Sequence, residues 1–493
     1  MDRDDHRLMA EPAEQEITMS YGLYVGRNLT RDGIAFLGGY GDEPSSHWLE
    51  IIPAEHHAEG ATITVGVTPE AELPGRLSEI AQVRRTARHV RVSYSHYKGV
   101  PAPLSNGGLN EYGVAVRDIW STSRSELIDM TPADQTGPNY SDLAKLVLER
   151  AKTAREGVDL IASLIARHNY STYGGNSHII ADADEAWVVI ECAGGQKLWV
   201  AERLGPDSVR ASRPGHIGDI PAEPTDDFLF PDHFVSFAIG QGWHDPAAPF
   251  NVNRVYGDGM GPWAGASWIE TEMRNRAARP GKIALEDMMW AVRTSRLTGD
   301  TAGYGQIVPL AGNGPTALRM IWHAPIGASA APFMPVYLGM TEIAEEYRQH
   351  RYLTSGEEAR FLDMRHALAG RTDSVSIVPQ GIEASRSAVQ ICKRLFYLAL
   401  REPDDRLEEL RAVWEAFERH LMLRAANAER AAGVLISAGE GELAVDQLTY
   451  FANTELRNGL RLAEQLAEGL EARVRALSLF DTSLLPRSAD QIW

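Results

Sequence analysis

Ser20 begins the stretch of this sequence that has the clearest capacity for chemistry. In the segment SYGLYVG, residues 20–26, larger side chains at 21, 23 and 25 predict a half-buried strand that starts at Ser20. Glycines at 22 and 26 share the face of Ser20, so the backbone beside its hydroxyl is left open. A serine in such a place attacks a carbonyl carbon once a nearby base accepts the hydroxyl proton.

Asp42 is predicted to lie beside Ser20 in a hairpin. The chain turns near Arg31 and Asp32, where Gly33 can adopt a positive φ, and returns as IAFLGGYGD. Antiparallel pairing about this turn places residue 20 opposite residue 41 or 42, which brings the carboxylate of Asp42 to the hydroxyl. On these residues alone, the plainer reading that Ser20 starts a strand and Asp42 ends one stays open.

Other catalytic patterns are weak. The sequence has no G-x-S-x-G elbow, H-E-x-x-H pair or Walker loop. His47, His56 and His57 are the closest set of histidines, but adjacent side chains do not readily face one ion, and Pro53 opposes a helix that would gather them. We therefore expect no metal and no organic cofactor.

Composition is typical of a folded protein of several domains, or of one large domain with an addition. Of 493 residues, 44% are hydrophobic and 23% are charged. Asp and Glu number 67 against 48 Lys and Arg, a net charge of −19 that argues against nucleic acid or an anionic membrane surface as partner. No apolar run suits a membrane span or a secretory signal, and Cys192 and Cys392 are too few for a disulfide framework, so a cytoplasmic location is expected.

Periodicity predicts a sheet, then helices, then more sheet, and finally a helical tail. A Pro- and Gly-rich region at 204–270 is expected to form long surface loops. In the tail, Leu407, Leu410, Trp414, Phe417 and Leu421 make one apolar stripe. The predicted strands are 20–26, 34–39, 61–67, 90–96, 113–119, 178–182, 186–191, 197–203, 303–310 and 316–323, and the predicted helices are 140–152, 155–168, 284–296, 384–400, 404–432 and 441–477.

A family resemblance joins these segments. SYGLYVGRNLTRDG resembles the amino-terminal motif of the dipeptidase A family of N-terminal-nucleophile (Ntn) hydrolases, relatives of the secernins and penicillin V acylase, with Ser20 where the family has Cys. The likeness continues through GGLNEYGVAV (107–116), LVLERAKTAREGVDLIASLIARH (146–168), GGNSHIIADADEAWVVIE (174–191) and APFMPVYLGMTEIAEEY (331–347). It implies an α+β fold, a four-layer αββα sandwich over residues 20–380, with a helical subdomain at 381–493.

The implied chemistry is amide hydrolysis by the first residue of the mature chain. The free α-amine of Ser20, with an ordinary pKa of roughly 7.7 to 8.0, would act as the base. By resemblance, the side-chain amides of Asn110 and Asn176 would donate to the tetrahedral intermediate, and Asp42 would orient the ammonium group. Residues 1–19 would then be a propeptide or a mis-assigned start, because Met19 directly precedes the nucleophile.

One departure from the family concerns charge. The family commonly carries Arg-Asn shortly before the Asp, where this chain has Gly39 and Tyr40. We consider Arg274, Arg276, Arg293 and Arg296 as replacements, although each also suits a solvated helix face.

Three functions therefore stay open. They are a dipeptidase-type hydrolase of a small peptide or amide, an amidase or acyltransferase that tailors one metabolite, and a catalytically silent scaffold. The helical tail also leaves self-association open.

Overall fold

Two antiparallel sheets form the centre of the chain, which this computed structural model describes at residues 20–41, 47–94, 97–298, 302–348 and 386–478. The strands are β1 Tyr21–Val25, β2 Ala35–Gly41, β3 His47–Ile52, β4 Glu55–His56, β5 Thr62–Val65, β6 Ser78–Ala81, β7 Arg85–Thr86, β8 His89–Tyr94, β9 Leu104–Asn110, β10 Ala115–Trp120, β11 Asn176–Ala181, β12 Ala186–Glu191, β13 Trp199–Leu204, β14 Val209–Ser212, β15 Asp219–Ile220, β16 Phe228–Leu229, β17 Phe250–Asn251, β18 Tyr304–Leu310, β19 Met320–Ala324 and β20 Met334–Tyr337. One sheet has the order β14-β1-β2-β18-β19-β20, and the other β16-β13-β12-β11-β10-β9-β8-β3.

Helices cover the outer faces of both sheets. They are α1 Ser125–Asp129, α2 Tyr140–Arg150, α3 Ala154–His168, α4 Phe234–Gly240, α5 Val252–Tyr256, α6 Ala264–Ala277, α7 Leu285–Arg293, α8 Ala388–Ala399, α9 Pro403–Ser437 and α10 Gly441–Ser478. α2 and α3 pack on the eight-stranded sheet, α6 and α7 pack on the six-stranded sheet, and β1 and β2 contact β10 across the interior. The predicted αββα sandwich is confirmed.

Side-chain caps determine where α2 and α3 begin. The Asn139 side chain accepts a bond from the Asp142 backbone N–H at 2.9 Å, and the Asp142 carboxylate accepts one from the Asn139 N–H at 3.1 Å. Thr153 caps α3 in the same way through the N–H of Glu156. Such caps satisfy the first free N–H groups of a helix. They place Tyr140, the first residue of α2, over the eight-stranded sheet.

The first hairpin has the predicted form. Tyr21 pairs with Tyr40, and this register continues to Val25 opposite Phe36. Gly33 has a φ of 67°, the conformation that the turn requires. One further step along the register sets Ser20 opposite Gly41.

The carboxyl-terminal helices pack against the six-stranded sheet, since α10 contacts β20 and α9 contacts the segment before it. A buried ion pair adds to this packing: both guanidinium nitrogens of Arg293, at the end of α7, bind the carboxylate of Glu418 on α9 at 2.5 and 2.9 Å. Leu410, Trp414 and Leu421 of the predicted stripe are buried.

The expectation of long loops at 204–270 was wrong in part. This region contains β14, which pairs with β1, and the helices α4, α5 and α6. The expected strand at 316–323 is a 3-10 turn followed by the shorter β19. No helix in the described ranges combines the length and the apolar composition that a membrane crossing requires.

Candidate active site

Ser20 lies directly before β1 and is 7% exposed. Two residues along the strand, a Cβ on Gly22 would lie 2.8 Å from Ile119 of β10 and 2.9 Å from Ile179 of β11. Gly22 therefore faces the second sheet. Because side chains alternate along a strand, Ser20 faces the space between the two sheets as well.

Glycine is required beside this position. Gly39, opposite Gly22, has a φ of 144°, and a Cβ on it would lie 1.9 Å from the carbonyl oxygen of Tyr21. Neighbouring Tyr40 points the other way, and its hydroxyl donates to the carbonyl of Leu297. Gly39 thus leaves the inner face of β2 without a side chain, while Tyr40 packs into the helix layer on the other face.

A buried cation lies between the sheets on β10. Arg117 is 0% exposed, and its Nη1 donates to Oε1 of Gln306 on β18 at 3.3 Å. Its guanidinium carbon is 5.2 Å from the ring centroid of Tyr304. Among the described residues, the Nε and Nη2 groups of Arg117 and the Nε2 group of Gln306 have no hydrogen-bond partner. Within the described ranges, no carboxylate forms an ion pair with Arg117.

The position of Arg117 relative to Ser20 follows from the register of the six-stranded sheet. Tyr304 pairs with Gly41, which is the residue opposite Ser20. Gln306 pairs with Gly39, one step further along the same face. Two strand spacings set the backbones of Ser20 and Tyr304 about 10 Å apart.

The four arginines that we considered as replacements lie elsewhere. Arg274 pairs with Glu270, and Arg276 pairs with Asp287. Arg293 is held by Glu418, and Arg296 stacks over Trp268 at 4.3 Å. All four belong to α6, α7 or the turn after α7, on the helix side of the six-stranded sheet.

Asn176 lies in a second polar group, on the helix-facing side of the eight-stranded sheet. Its Nδ2 donates to the carboxylate of Asp118 at 2.5 Å, and the hydroxyl of Tyr173 donates to its Oδ1 at 2.7 Å. Asp118 and Asn176 alternate with Ile119 and Ser177, which face the other sheet. The structure therefore does not bring the Asn176 amide to the face that carries Ser20.

His178 joins this second group. Its ring nitrogens lie 2.9 Å from the carboxylate of Glu191 and 3.0 Å from the carbonyl oxygen of Tyr140. Burial lowers the pKa of His178, but the charges of Glu191 and of Asp118 outweigh it and raise the pKa to about 9. Burial raises the pKa of Glu191. The imidazolium is consequently stabilised between two carboxylates.

Asn110 is the last residue of β9. It lies at the end of the eight-stranded sheet that is remote from Asn176. Its amide donates to the carbonyls of Leu148 and Ala151 at 3.1 and 2.7 Å, and its oxygen accepts from the N–H groups of Tyr112 and Val114. These bonds join the turn after β9 to the end of α2. The catalytic roles expected of Asn110 and Asn176 stay predictions.

Asp42 and Met19 lie outside the described residues. The described ranges contain no group of three or more His, Cys, Asp or Glu side chains arranged to hold a metal ion. Cys192 and Cys392 are buried free thiols, and burial raises the pKa of each to about 12.

Sequence reasoning missed Arg117, Asp118, His178 and Glu191. The first two had a visible signal, since they are adjacent charges inside a run otherwise suited to a buried strand. Alternation sends one to each face of such a strand. His178 and Glu191 lie on neighbouring predicted strands, but their contact depends on a register that the sequence does not state.

Comparison with known proteins relates this chain to dipeptidases. Residues 86–260 match the model of peptidase family C69. Over 182 residues the chain is 29% identical to a probable dipeptidase B of Streptococcus pyogenes serotype M3, covering 36% of this chain and 33% of that protein. It is 34% identical over 102 residues to a probable dipeptidase B of Lactococcus lactis, with 20% and 21% covered. A dipeptidase of Bifidobacterium longum is 30% identical over 141 residues, with 25% and 26% covered.

The matched segments are therefore a third or less of the relatives' lengths. Among solved structures, a mutant of conjugated bile acid hydrolase from Clostridium perfringens aligns over 64% of this chain and 92% of that one, at 12% identity and a TM-score of 0.33. That score alone does not establish a common fold, and the assignment of the αββα sandwich depends on the sheets and helices themselves.

Proposed function

We propose that this chain, a relative of the dipeptidases of peptidase family C69, is an amide-bond hydrolase that uses Ser20 as its nucleophile. The observation that carries the proposal is the position of Ser20: it is the residue before a central strand of the sandwich, it faces the second sheet, and glycines flank it on the same face. Its substrate is a dipeptide or another small amide.

The reaction begins when the Ser20 oxygen attacks the carbonyl carbon of the substrate. The α-amine of Ser20, once free, accepts the hydroxyl proton and returns it to the leaving amine. Water then attacks the ester formed on Ser20 and releases the acid, with the same amine as base. No metal or organic cofactor enters these steps.

The intermediate needs hydrogen-bond donors for its negative oxygen, and removal of one such donor typically costs about 2.7 to 4 kcal/mol. Asn110 and Asn176 are the donors that the resemblance proposes, and Asp42 would hold the ammonium group. The amides of both asparagines already bind acceptors, so each would exchange an existing bond to take part.

The test uses a panel of dipeptides and three proteins that begin at residue 20: wild type, Ser20→Ala and Ser20→Cys. We expect Ser20→Ala to fold normally and to lose several orders of magnitude in kcat, because no other hydroxyl can use the attached amine. Ser20→Cys should keep part of the activity, since a thiol can use the same base. Unchanged turnover in Ser20→Ala would contradict the mechanism.

A control experiment tests whether activity depends on a metal ion or on a cysteine thiol. Treatment with EDTA and with iodoacetamide should leave the wild-type rate within about a factor of two, because the raised pKa of each buried cysteine keeps it as the unreactive thiol. Loss of activity with EDTA that zinc restores would instead require a metal-dependent mechanism.

A further inference from the structure

The guanidinium of Arg117 is buried without a carboxylate partner among the described residues. It is 0% exposed, and its only described polar contact is the 3.3 Å bond to Gln306. Its Nε and Nη2 groups have no acceptor among these residues. By contrast, Arg293 of α7, which is also buried, is held at two nitrogens by Glu418.

The contacts that Arg117 does make are too weak to offset its burial. Contact with the ring of Tyr304 and one bond to a neutral amide are each weak interactions. Removal of an ion from water costs more than both together, even after the protein relaxes. A buried arginine is therefore expected to have a partner that is negative and planar enough to meet two parallel N–H groups.

The location of these unused donors relates them to the proposed nucleophile. Arg117 lies on the face of β10 that meets the other sheet, next to Gln306, whose Nε2 also lacks an acceptor among the described residues. Glycines at 22 and 39 leave the strands between this pair and Ser20 without side chains on that face. The row of residues from Ser20 through Gly41 to Tyr304 spans about 10 Å, within the reach of a short amide.

We propose that Arg117 and Gln306 form a carboxylate-binding subsite between the two sheets, which takes the terminal carboxylate of the substrate while its amide carbonyl lies at Ser20. This inference depends on the proposed function for its substrate, but the anion site itself does not. Arg117 supplies two N–H donors in one plane, and Gln306 adds a third from β18 of the facing sheet. The subsite accordingly selects dipeptides and acyl amino acids that carry a free carboxylate.

The kinetic test compares a substrate pair that differs only in this group: leucylalanine and leucylalaninamide. In Arg117→Met, kcat/KM should fall about 10- to 100-fold for leucylalanine and less than about threefold for the amide. Arg117→Lys keeps the charge but not the paired donors, and should give an intermediate preference. Equal losses on both substrates in these variants would overturn the proposal.

Stability provides a second measurement with a matched control. Replacement of an uncompensated buried ion by an apolar side chain is often neutral or stabilising, so Arg117→Met should keep or raise the melting temperature. Arg293→Met leaves Glu418 buried without its partner and should lower it. If Arg117→Met destabilises the protein as much as Arg293→Met does, Arg117 is structural and the subsite is wrong.

A binding measurement can test the carboxylate subsite independently of the proposed hydrolase function. Calorimetry with leucylalanine should show binding to Ser20→Ala and at least tenfold weaker binding when Arg117→Met is added. If no protein hydrolyses either compound but this difference remains, the hydrolase proposal fails and the carboxylate site stands. If hydrolysis depends on Ser20 but the carboxylate makes no difference to rate or binding, the hydrolase stands and the subsite fails.

Discussion

Arg117 and Asp118, adjacent residues of β10, lie on opposite faces of one sheet. Arg117 meets Gln306 of the other sheet, whereas Asp118 meets Asn176 under the helix layer. This placement follows from ordinary strand geometry, because successive side chains of a strand point to opposite faces of the sheet. The consequence is that two charges next to each other in sequence do not compensate each other. Each needs a partner of opposite charge, and among the described residues only Asp118 has one, the ring of His178.

The protonation of His178 should be visible in stability. Its pKa of about 9 lies above the ordinary 6.5, so its contribution is complete below about pH 6.5 and is lost as the pH rises through about 9. The free energy of unfolding should therefore fall across this window by at most about 3 kcal/mol. Burial raises the pKa of Glu191 as well, so its protonation also favours the folded protein at lower pH.

Urea unfolding of wild type and His178→Gln at about pH 6 and about pH 9.5 measures this change. The free energy of unfolding should fall less between these two pH values in His178→Gln than in the wild type. The control is His56→Gln, a change at an exposed histidine of β4, which should keep the pH dependence of the wild-type stability. If His178→Gln also keeps that pH dependence, His178 is neutral throughout this range.

At the scale of elements, the local sequence was sufficient to predict strand pairing where the two strands are close together in the chain. The register of the β1–β2 hairpin was predicted to within one residue, because the two strands are joined by one short connection that contains Gly33. The other neighbour of β1, β14, lies almost two hundred residues away and was taken for a loop. α6 was missed for a different reason: it starts after Trp263 without a side-chain cap, following a run of glycines.

The same limit applies to the candidate site. Ser20 could be found because its strand pattern is local, and the face it shares with Gly22 follows from alternation alone. Gln306 could not be found, since its place opposite Gly39 depends on β18 pairing with β2 across most of the chain. The exclusion of Arg293 likewise depends on Glu418, 125 residues later.

The bond between α7 and α9 gives an element-scale prediction. Glu418 accepts from both nitrogens of Arg293 and from the N–H of Phe333 at 2.7 Å. Glu418→Ala should lower the free energy of unfolding by about 3 to 5 kcal/mol, because it removes the buried carboxylate that binds two nitrogens of the buried Arg293 guanidinium. The measurement is denaturant unfolding at neutral pH.

Glu409→Ala is the matched control. It removes the exposed ion pair between Glu409 of α9 and Arg473 of α10, and should have little effect because solvent and salt screen such pairs. Equal stability of wild type and Glu418→Ala would show that the carboxyl-terminal helices do not depend on this ion pair.

At the scale of the whole molecule, the sandwich places its proposed chemistry between two sheets, and the six-stranded one combines strands from distant parts of the chain. β1 and β2 come from its beginning, β18 to β20 from its second half, and the carboxyl-terminal helices pack against the last of these strands. Ser20 thus depends on the complete fold, and the proposed base is available only when nothing precedes Ser20.

This dependence gives the last prediction. An α-amine accepts a proton only if it is not part of a peptide bond, so residues 1–19 must be absent before Ser20 can act. A chain expressed from Met19 should lose that methionine to methionine aminopeptidase, because serine is small, and should be fully active. A chain that retains residues 1–19 should be inert, unless cleavage between Met19 and Ser20 follows. Intact mass and amino-terminal sequencing report which form is present, and dipeptide hydrolysis is measured on the same samples. If an unprocessed chain hydrolyses dipeptides as fast as the one that begins at Ser20, the free amine is not the base and the N-terminal-nucleophile mechanism is wrong for this protein.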